Sequence, residues 1–284
     1  MATILDTLKK GAEYLQRHDV EEARLTMELL LGHVLKIDRM RLYLDFDRPL
    51  SEASLATLRD LTMRRGRGEP LQHLLGSVEF CDLEFRVDAR ALIPRPETEE
   101  LTRLLLARPW SDGASLLDLG CGSGVIGLSL AHHLEGKSVK VTLADLSEEA
   151  LDLARENAAL LLPDDATVRI LKSDLFSALD REVFDLVVAN LPYIPDSAET
   201  LLSREVRRDP ALALYGGPSG NEVMERFLSL VGNHLKPGGI VAMEFGVDQA
   251  EALRRAAETH GLESVEIRKD IEGNERFLFA VQPC

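Results

Sequence analysis

The feature that most constrains this chain is an apolar run, Phe184–Ala189, which ends in Asn190-Leu191-Pro192-Tyr193. A short apolar run that is stopped by proline predicts a central strand of a parallel sheet, covered on both faces. In open α/β sheets, ligands bind at the carboxyl ends of such strands. Asn190 and Tyr193 are therefore predicted to lie at a chemical site rather than in a packed core.

The second half of the chain alternates strand and helix patterns, which predicts a parallel sheet with helices on both faces. Seven strands are expected, at Ser115–Leu119, Val139–Ala144, Val168–Lys172, Phe184–Ala189, Ile240–Phe245, Ser264–Lys269 and Arg276–Val281. Helical patterns between them include Val125–His133, Ser147–Leu161, Asn221–Leu235 and Gln249–His260. The loop 270–275 is too short for a crossover helix, so the last two strands are expected to pair antiparallel. This α/β outline is similar to the Rossmann-like seven-stranded sheet of class I methyltransferases.

The first part of the chain carries helical periodicity and no strand signal. Asp19 followed by Glu22 predicts a capping box that opens a helix, and Ser51 predicts the N-cap of a later helix. The loose alternation over Val78–Val87 predicts a β-hairpin. We therefore expect a helical bundle for substrate docking at residues 1–75, a β-hairpin linker at 76–94 and a catalytic domain at 95–284.

The run Leu92-Ile93-Pro94-Arg95-Pro96-Glu97-Thr98-Glu99-Glu100 joins the last two of these parts. Pro96 suits the first turn of a helix, where its missing N–H costs nothing, and the acids after it favour the helix dipole. A linker with a capped helix start explains the prolines and the acids. Such a linker does not explain why Arg95 lies between two prolines. We therefore expect this segment to be a loop that faces a functional site.

Composition narrows the classes of function. The chain has 48 acidic and 33 basic residues among 284, a formal charge of −15. Because phosphate binding rests on Lys and Arg, we expect no broad nucleic-acid surface and no direct nucleic-acid partner.

Cys81, Cys121 and Cys284 have no metal-ligand spacing and indicate reduced thiols, so no metal is expected. Met1–Lys10 lacks a signal-peptide pattern and no run reaches membrane-spanning length, so we expect a soluble, cytoplasmic protein, by default a monomer.

The first strand of the sheet runs into a glycine-rich loop that precedes a helix. Glycines there permit a tight turn and a close approach of the backbone to a ligand. The loop residues predicted to bind a cofactor are Gly120, Cys121, Gly122, Ser123 and Gly124. Asp118, just before them, either supports the loop or meets the amino group of a methionine moiety. Gly122, Gly124 and Gly127 also satisfy the dinucleotide fingerprint, so the loop alone does not separate NAD from S-adenosylmethionine.

Acidic residues follow the next two strands. Asp145 ends the second strand, where a carboxylate accepts hydrogen bonds from both ribose hydroxyls of a nucleoside cofactor. Asp174 follows the third strand, where it can reach an adenine amino group while Leu175 packs against the ring. A helix N-cap explains Asp174 equally well. These positions predict a nucleoside cofactor without choosing between NAD and S-adenosylmethionine.

Asn190 is the predicted centre of the chemistry. An amide or aryl amine is a poor nucleophile, because its lone pair is delocalised. The Asn190 side-chain oxygen and a neighbouring backbone carbonyl can each accept one N–H, which fixes the nitrogen and favours its pyramidalisation. Tyr193 offers a flat surface for stacking. Asn-x-Pro also occurs in ordinary turns, but its position after the fourth strand favours an amino-methyltransferase with Asn190 and Tyr193 as catalytic residues.

The sequence resembles the HemK/PrmC family, the release factor glutamine methyltransferases, over nearly its whole length. The segments that carry the resemblance are Glu69-Pro70-Leu71, Leu75-Gly76, Phe80, Phe85, Leu92–Glu99, Asp118–Gly124, Asp145, Ser173-Asp174, Asp209–Leu214, Gly238-Gly239, Glu244–Gly246, Gln249, Asp270, Gly273 and Arg276. The Ile-Pro-Arg-Pro-Glu-Thr-Glu run and the helical N-terminal part are far more specific to that family than the glycine loop.

The resemblance implies methylation of the side-chain nitrogen (N5) of the glutamine in the Gly-Gly-Gln motif of peptide chain release factors, hence a role in translation termination. The methyl donor would be S-adenosylmethionine. Carried over by position, the donor would be held by Gly120, Cys121, Gly122, Ser123, Gly124, Asp145, Asp174, Leu175 and Asn190. The glutamine amide would be received by Asn190, Leu191, Pro192 and Tyr193, with Leu191 acting through its backbone carbonyl.

Leu191 departs from the family, which usually has proline at this position. Leucine supplies the same carbonyl but lacks the fixed φ of proline, so some rigidity is lost. Asn-Leu-Pro-Tyr is also similar to the motif of ribosomal RNA adenine dimethylases. The alternative is therefore an adenine amino-methyltransferase acting on RNA or DNA, against which the acidic charge counts. A third hypothesis is an NAD-binding oxidoreductase, or a catalytically silent binding module, on the same fold.

Overall fold

The computed structural model describes residues 2–163 and 166–284. The chain divides into two compact units. The helical unit consists of Met1–Ser77 together with the distant segment Ser203–Arg208. The sheet unit consists of Val78–Leu202 and Asp209–Cys284, and it includes the hairpin expected to act as a linker.

The helical unit is built from short helices around one apolar core. Its helices are α1 (Ile4–Gln16), α2 (Ala23–Leu35), α3 (Arg39–Leu44), α4 (Glu52–Gly66) and α5 (Leu71–Leu75). Leu8, Met27, Leu30 and Leu58 are among the buried residues that form the core. Ser51 caps α4 by accepting a hydrogen bond from the backbone of Ser54, as predicted.

The predicted capping box at the start of α2 is wrong. Glu22 occupies the N-cap position in a left-handed conformation and its side chain makes no capping hydrogen bond. Asp19 is also left-handed, because the chain turns sharply after α1. The backbone N–H groups of Asp19 and Val20 bind carbonyls at the end of α1, which leaves the Asp-x-x-Glu pattern in a turn.

The sheet unit alternates strands and helices. Its strands are β1 (Ser77–Phe80), β2 (Leu83–Arg86), β3 (Ser115–Leu119), β4 (Lys140–Asp145), β5 (Val168–Lys172), β6 (Phe184–Asn190), β7 (Ile194–Pro195), β8 (Tyr215–Gly217), β9 (Leu235–Glu244), β10 (Glu263–Lys269) and β11 (Glu275–Val281). Its helices are α6 (Pro96–Leu106), α7 (Val125–His133), α8 (Glu148–Leu161), α9 (Ala211–Leu214), α10 (Glu222–Val231) and α11 (Ala250–Thr259).

Within the described residues the main sheet has seven strands in the order β10-β11-β9-β6-β3-β4-β5. The five strands from β9 to β5 run parallel, and β11 pairs antiparallel with both β9 and β10. This confirms the predicted α/β fold with a closing antiparallel hairpin. The strand order reverses beside β3, which is where ligands bind in sheets of this kind.

Alternate residues of the central strands serve two separate cores. On β6, Leu186 and Val188 belong to the core that contains α6, α7 and α8, whereas Val187 and Ala189 belong to the core that contains α10 and α11. Successive side chains of a strand point to opposite faces, so a strand that is covered twice must be apolar throughout. That requirement explains the apolar run that the sequence shows before Asn190.

One helix ends earlier than its pattern predicts. The expected helix Asn221–Leu235 ends at Val231, a 3₁₀ turn follows over Gly232–His234, and Leu235 already begins β9. Leu235 pairs with Phe184 of β6. The prediction failed because helical periodicity carries no information about pairing with a strand 51 residues away in the sequence.

The predicted hairpin is present as β1 and β2. Cys81 and Asp82 form its two-residue turn with left-handed φ values of 49° and 64°, as in the turns that suit the twist of a hairpin. Phe80 and Phe85 pack edge to face, with ring centroids 6.0 Å apart. In the part of the chain that the structure describes, no helix has the length and apolar character needed to span a membrane.

Candidate active site

A cavity of about 340 Å³ lies in the sheet unit, where the strands around the reversal end. Its walls come from the segments that follow β3, β4, β5 and β6, from the loop before α6, and from α9 and α10. The lining includes Arg95, Thr98, Gly120, Cys121, Gly122, Ser123, Asp145, Asp174, Leu175, Asn190, Leu191, Pro192 and Arg226. The volume falls within the range of small-molecule sites.

The glycine loop forms one wall of the cavity. The backbone N–H groups of Gly120 and Cys121 both donate to the carbonyl of Ala144, at 2.8 and 3.1 Å, which holds the loop against β4. Gly120 has a φ of +71°, and a Cβ there would lie 2.9 Å from Leu191 Cδ2. The turn and the close packing both require glycine at this position. Gly124 caps α7 and lies outside the cavity lining.

Asp118 lies beneath the loop and not on the cavity wall. Its Oδ2 accepts a hydrogen bond of 2.8 Å from the backbone of Gly127, so it supports the turn, one of the two roles expected for it. Oδ1 is buried and, among the described residues, has no partner. Burial raises the pKa of this carboxyl group from 3.8 to about 7.

Asp145 is the last residue of β4 and lines the cavity. Its two oxygens accept hydrogen bonds from the backbone of Gly122, at 2.9 Å, and of Ser147, at 2.8 Å. Burial raises the pKa of Asp145, and these hydrogen bonds partly offset the rise. Each carboxylate oxygen has a second lone pair, so the group can still accept hydrogen bonds from a ligand.

Asp174 and Leu175 line the cavity after β5, as the sequence predicted, but Asp174 has a partner that the sequence did not reveal. Its two oxygens accept hydrogen bonds from the guanidinium of Arg226 on α10, at 2.9 and 3.1 Å. Both side chains are about half exposed, so the pair orients the carboxylate and adds little stability. Leu175 is buried beside it, in a left-handed conformation with a φ of +48°.

Asn190, the last residue of β6, lines the cavity together with Leu191 and Pro192, which follow it. The Nδ2 group of Asn190 donates a hydrogen bond of 2.9 Å to Thr98 Oγ1, which leaves Oδ1 as the free acceptor of the amide. Leu191 is 5% exposed and packs its side chain on Gly120. Leucine in place of proline thus fills the space that the glycine leaves.

Tyr193, like Gly124, is a predicted site residue that the cavity lining does not include. Its ring packs against Gly246, whose Cβ position would lie 3.0 Å from Tyr193 Cδ2. Its carbonyl accepts a hydrogen bond from Gln249 Nε2 at 3.1 Å, and Gln249 Oε1 accepts one from the backbone of Gly246. Burial raises the pKa of the Tyr193 phenol above its usual range. The ring therefore packs against the core that contains α10 and α11 and is not part of the cavity lining.

The run Leu92–Glu100 contributes two site residues whose roles the sequence did not reveal. Arg95 lines the cavity and donates a hydrogen bond of 2.6 Å to Asp209, whose side chain is fully buried. Thr98, in the first turn of α6, binds both Asn190 and the buried Glu244. Asp209, Thr98 and Glu244 all lie in the motifs that carry the family resemblance, but no pattern in the sequence shows that they meet.

Comparison with known proteins supplies the family. Two family models match: one described as the PrmC N-terminal domain over residues 6–76, and one described as a methyltransferase domain over residues 111–274. The chain is 38% identical over 263 residues to the release factor glutamine methyltransferase of Chlorobaculum tepidum, covering 89% of this chain and 88% of that protein. It is 34% identical over 280 residues to the enzyme of the same name from Leptospira interrogans, covering 97% of each.

The chain belongs to the release factor glutamine methyltransferase family. The predicted resemblance is thereby confirmed, and so is the prediction that the protein is a methyltransferase. The crystal structure of a ribosomal protein L11 methylase from Lactobacillus delbrueckii subsp. bulgaricus matches the fold with a TM-score of 0.51 at 23% identity, covering 70% of this chain and 86% of that chain. A methyltransferase takes S-adenosylmethionine rather than NAD, which decides between the two cofactors that the sequence left open.

The cavity residues fit S-adenosylmethionine. A Cβ at Gly122 would meet nothing closer than Ala91 Cβ at 3.9 Å, so the backbone here is open to a ligand. The buried Ser123 Oγ has no partner among the described residues, and Asp145 retains acceptor capacity for ribose hydroxyls. In residues 2–163 and 166–284, no cluster of three or more His, Cys, Asp or Glu side chains could hold a metal ion.

Proposed function

We propose that this protein transfers the methyl group of S-adenosylmethionine to the side-chain amide nitrogen of the glutamine in the Gly-Gly-Gln motif of peptide chain release factors. The names of the relatives support this substrate, and the similarity covers nearly the whole chain. The observation that carries the proposal is the position of Asn190, at the carboxyl end of β6 and on the cavity wall, with its Oδ1 free to accept a hydrogen bond.

The residues after β6 would position the glutamine amide. Asn190 Oδ1 and the Leu191 carbonyl would each accept one N–H of the substrate. Two such bonds hold the nitrogen in one orientation and draw electron density toward it, so they act by positioning and electrostatics rather than by proton transfer. Leucine at position 191 supplies this carbonyl as proline would. Tyr193 would stack against the part of the substrate that extends beyond the cavity.

The donor would be held by the glycine loop, by Asp145 through the ribose, and by Asp174 with Leu175 at the adenine. When bound, S-adenosylmethionine supplies an electrophilic methyl group on a sulfonium. Because Asp174 binds Arg226 through both oxygens, it would contact adenine through its remaining lone pairs or after the ion pair opens. The lining of the cavity is mostly apolar, which would keep water away from the reacting groups once donor and substrate fill it.

The helical unit is proposed to dock the release factor. The PrmC N-terminal domain model matches this part of the chain, and the unit has its own core. We further propose that the protein acts in the cytoplasm, where release factors function, and as a monomer that makes no direct contact with nucleic acid. The formal charge of −15 supports the last point, and the free thiols of Cys81, Cys121 and Cys284 suit a reducing compartment.

A methyl-transfer assay tests the proposal. Labelled S-adenosylmethionine is offered with purified release factor and, separately, with total RNA and with DNA, and mass spectrometry of the Gly-Gly-Gln peptide locates the label. One added methyl group on that glutamine is expected. Label on nucleic acid, with the peptide unmodified, would instead support an adenine amino-methyltransferase.

A further inference from the structure

Three side chains at the cavity form a hydrogen-bonded chain that the proposed function does not explain. Asn190 Nδ2 donates to Thr98 Oγ1 at 2.9 Å, and Thr98 Oγ1 donates to Glu244 Oε2 at 2.7 Å. Thr98 is 3% exposed and Glu244 is 1% exposed. A carboxyl group is seldom buried this deeply without a specific partner, so the arrangement requires a reason.

The fold brings the three residues together from distant parts of the sequence. Asn190 and Glu244 are register partners on the adjacent parallel strands β6 and β9, each at the carboxyl end of its strand. Thr98 is the third residue of α6, which begins at Pro96. The proline therefore fixes where the helix starts and so where the hydroxyl lies.

The chain of hydrogen bonds determines which way the Asn190 amide faces. A hydroxyl group has one proton, and at pH 8, above the pKa of about 7 of Glu244, Thr98 must donate it to the ionised carboxylate. Toward Asn190 the hydroxyl can then only accept, so the amide must present its NH₂ group to Thr98. The oxygen of the amide is left for the cavity. An amide rotated by half a turn would set two oxygens against each other in a buried place, which is unfavourable.

We propose that Thr98 and Glu244 are positioning residues that hold Asn190 Oδ1 toward the substrate nitrogen. This inference rests on the proposed function, because the orientation matters only if Asn190 receives an amide N–H. Neither residue touches the substrate in this scheme. Without the Thr98 hydroxyl, only the direct interaction with Glu244 still orients the Asn190 amide. The amide then turns more readily, and its NH₂ group would face the NH₂ group of the substrate.

Substitutions at Thr98 test the proposal on the full-length protein. Thr98→Val keeps the shape and removes the hydroxyl, Thr98→Ala removes the hydroxyl by truncation, and Thr98→Ser keeps it. The matched control is Thr102→Val, one turn further along α6, because Thr102 is also buried but its hydroxyl binds only the Thr98 carbonyl. Activity is measured at pH 8 with purified release factor and S-adenosylmethionine, and unfolding is followed in urea.

Thr98→Val and Thr98→Ala are expected to lower kcat about tenfold with a smaller change in KM for the release factor, because one orienting hydrogen bond is lost. Thr98→Ser is expected to restore kcat, and Thr102→Val is expected to behave as the wild type. Wild-type kcat in Thr98→Val would overturn the positioning role. So would equal losses of activity and stability in Thr98→Val and Thr102→Val, since these would show a structural role only.

The assay separates this inference from the proposed function. A wild-type protein that methylates no release factor would remove the proposed function itself. A wild-type protein that methylates the glutamine, with Thr98→Val and Thr98→Ala fully active, would remove only the positioning chain. The expected pattern, an active wild type with two impaired hydroxyl-free variants and one rescued variant, supports both.

Discussion

Replacing Glu244 with glutamine tests whether the fold holds a carboxyl group that prefers to be neutral. Burial raises the pKa of Glu244 from 4.5 to about 7. The charge of Glu97 adds to the rise, whereas Arg276 and the hydrogen bonds from Thr98 and Asn190 oppose it. Glutamine has nearly the same shape and can still accept the Thr98 hydroxyl, but it does not titrate. The substitution therefore removes the contribution of this residue to the pH dependence of stability and keeps the hydrogen bond from Thr98.

The sign and size of the effect follow from the two pKa values. Because the folded-state pKa lies above the unfolded-state value, the folded protein keeps a proton that the unfolded chain has released between pH 4.5 and about 7. This contribution to stability is fully present below pH 4.5 and is lost as the pH rises through 7. For these pKa values the linkage relation gives a loss of about 2.5 kcal/mol between pH 5 and pH 8.

Urea unfolding at several pH values measures this loss. Trp110 is the single tryptophan and is buried in a core of the sheet unit, so its fluorescence reports on the part of the protein that contains Glu244. The free energy of unfolding of Glu244→Gln, relative to the wild type, is expected to rise by about 2.5 kcal/mol from pH 5 to pH 8.

Asp118 provides the control for this measurement. Its pKa is also raised to about 7, but it is present in both proteins, so its contribution cancels in the comparison. Asp118→Asn should remove its own share of the pH dependence and leave that of Glu244. A difference between the wild type and Glu244→Gln that stays constant from pH 5 to pH 8 would refute the reasoning.

Three further substitutions test the site. Asn190→Ala is expected to abolish methyl transfer while calorimetry still detects weakened S-adenosylhomocysteine binding; near-normal turnover would remove Asn190 from the mechanism. Asp209→Ala takes the buried acceptor from Arg95, and urea unfolding should show a loss of about 2 kcal/mol, with Asp209→Asn as the milder control. Gly120→Ala should lower the free energy of unfolding by about 1–2 kcal/mol because of the left-handed φ of this residue. The loss should be larger still because the new Cβ would lie 2.9 Å from Leu191 Cδ2. Gly238→Ala, with a similar φ and no atom within 4 Å, measures the strain without the clash.

Much of the fold could be predicted because a strand buried on both faces must be apolar along its length, and this requirement is visible in the local sequence. β3, β5 and α7 begin and end where their patterns predict, since apolar runs and a glycine turn mark both ends. The capping box at Asp19 and the end of α10 were wrong for the opposite reason. A tight turn determines the backbone conformation after α1, and strand pairing determines where α10 ends. Neither is visible in a local sequence pattern.

The site shows the same division. The sequence predicted that the residues at the ends of β3, β4, β5 and β6 lie together, because strand ends are visible in the sequence and all meet at one edge of the sheet. Most of these residues line one cavity. Thr98 and Glu244 were not found, because their function depends on the register of β6 with β9 and on the start of α6. The direction of the Tyr193 ring could not be predicted either, because the ring packs against Gly246, which is distant in the sequence.

The segment Ser203–Arg208 has a practical consequence for dividing this protein. Although it lies in the sequence between parts of the sheet unit, it belongs to the helical unit, where Glu205 accepts a hydrogen bond of 2.5 Å from Arg65. The Arg65 side chain is only 6% exposed. A fragment that ends at Ser77 would lack the Glu205 carboxylate. The buried Arg65 guanidinium would then keep its hydrogen bond to the Glu69 carbonyl but lose its ion pair, which is destabilising. To express the helical unit by itself, the buried charge should be removed by Arg65→Met, or an acidic segment that replaces Ser203–Arg208 should be attached to the fragment.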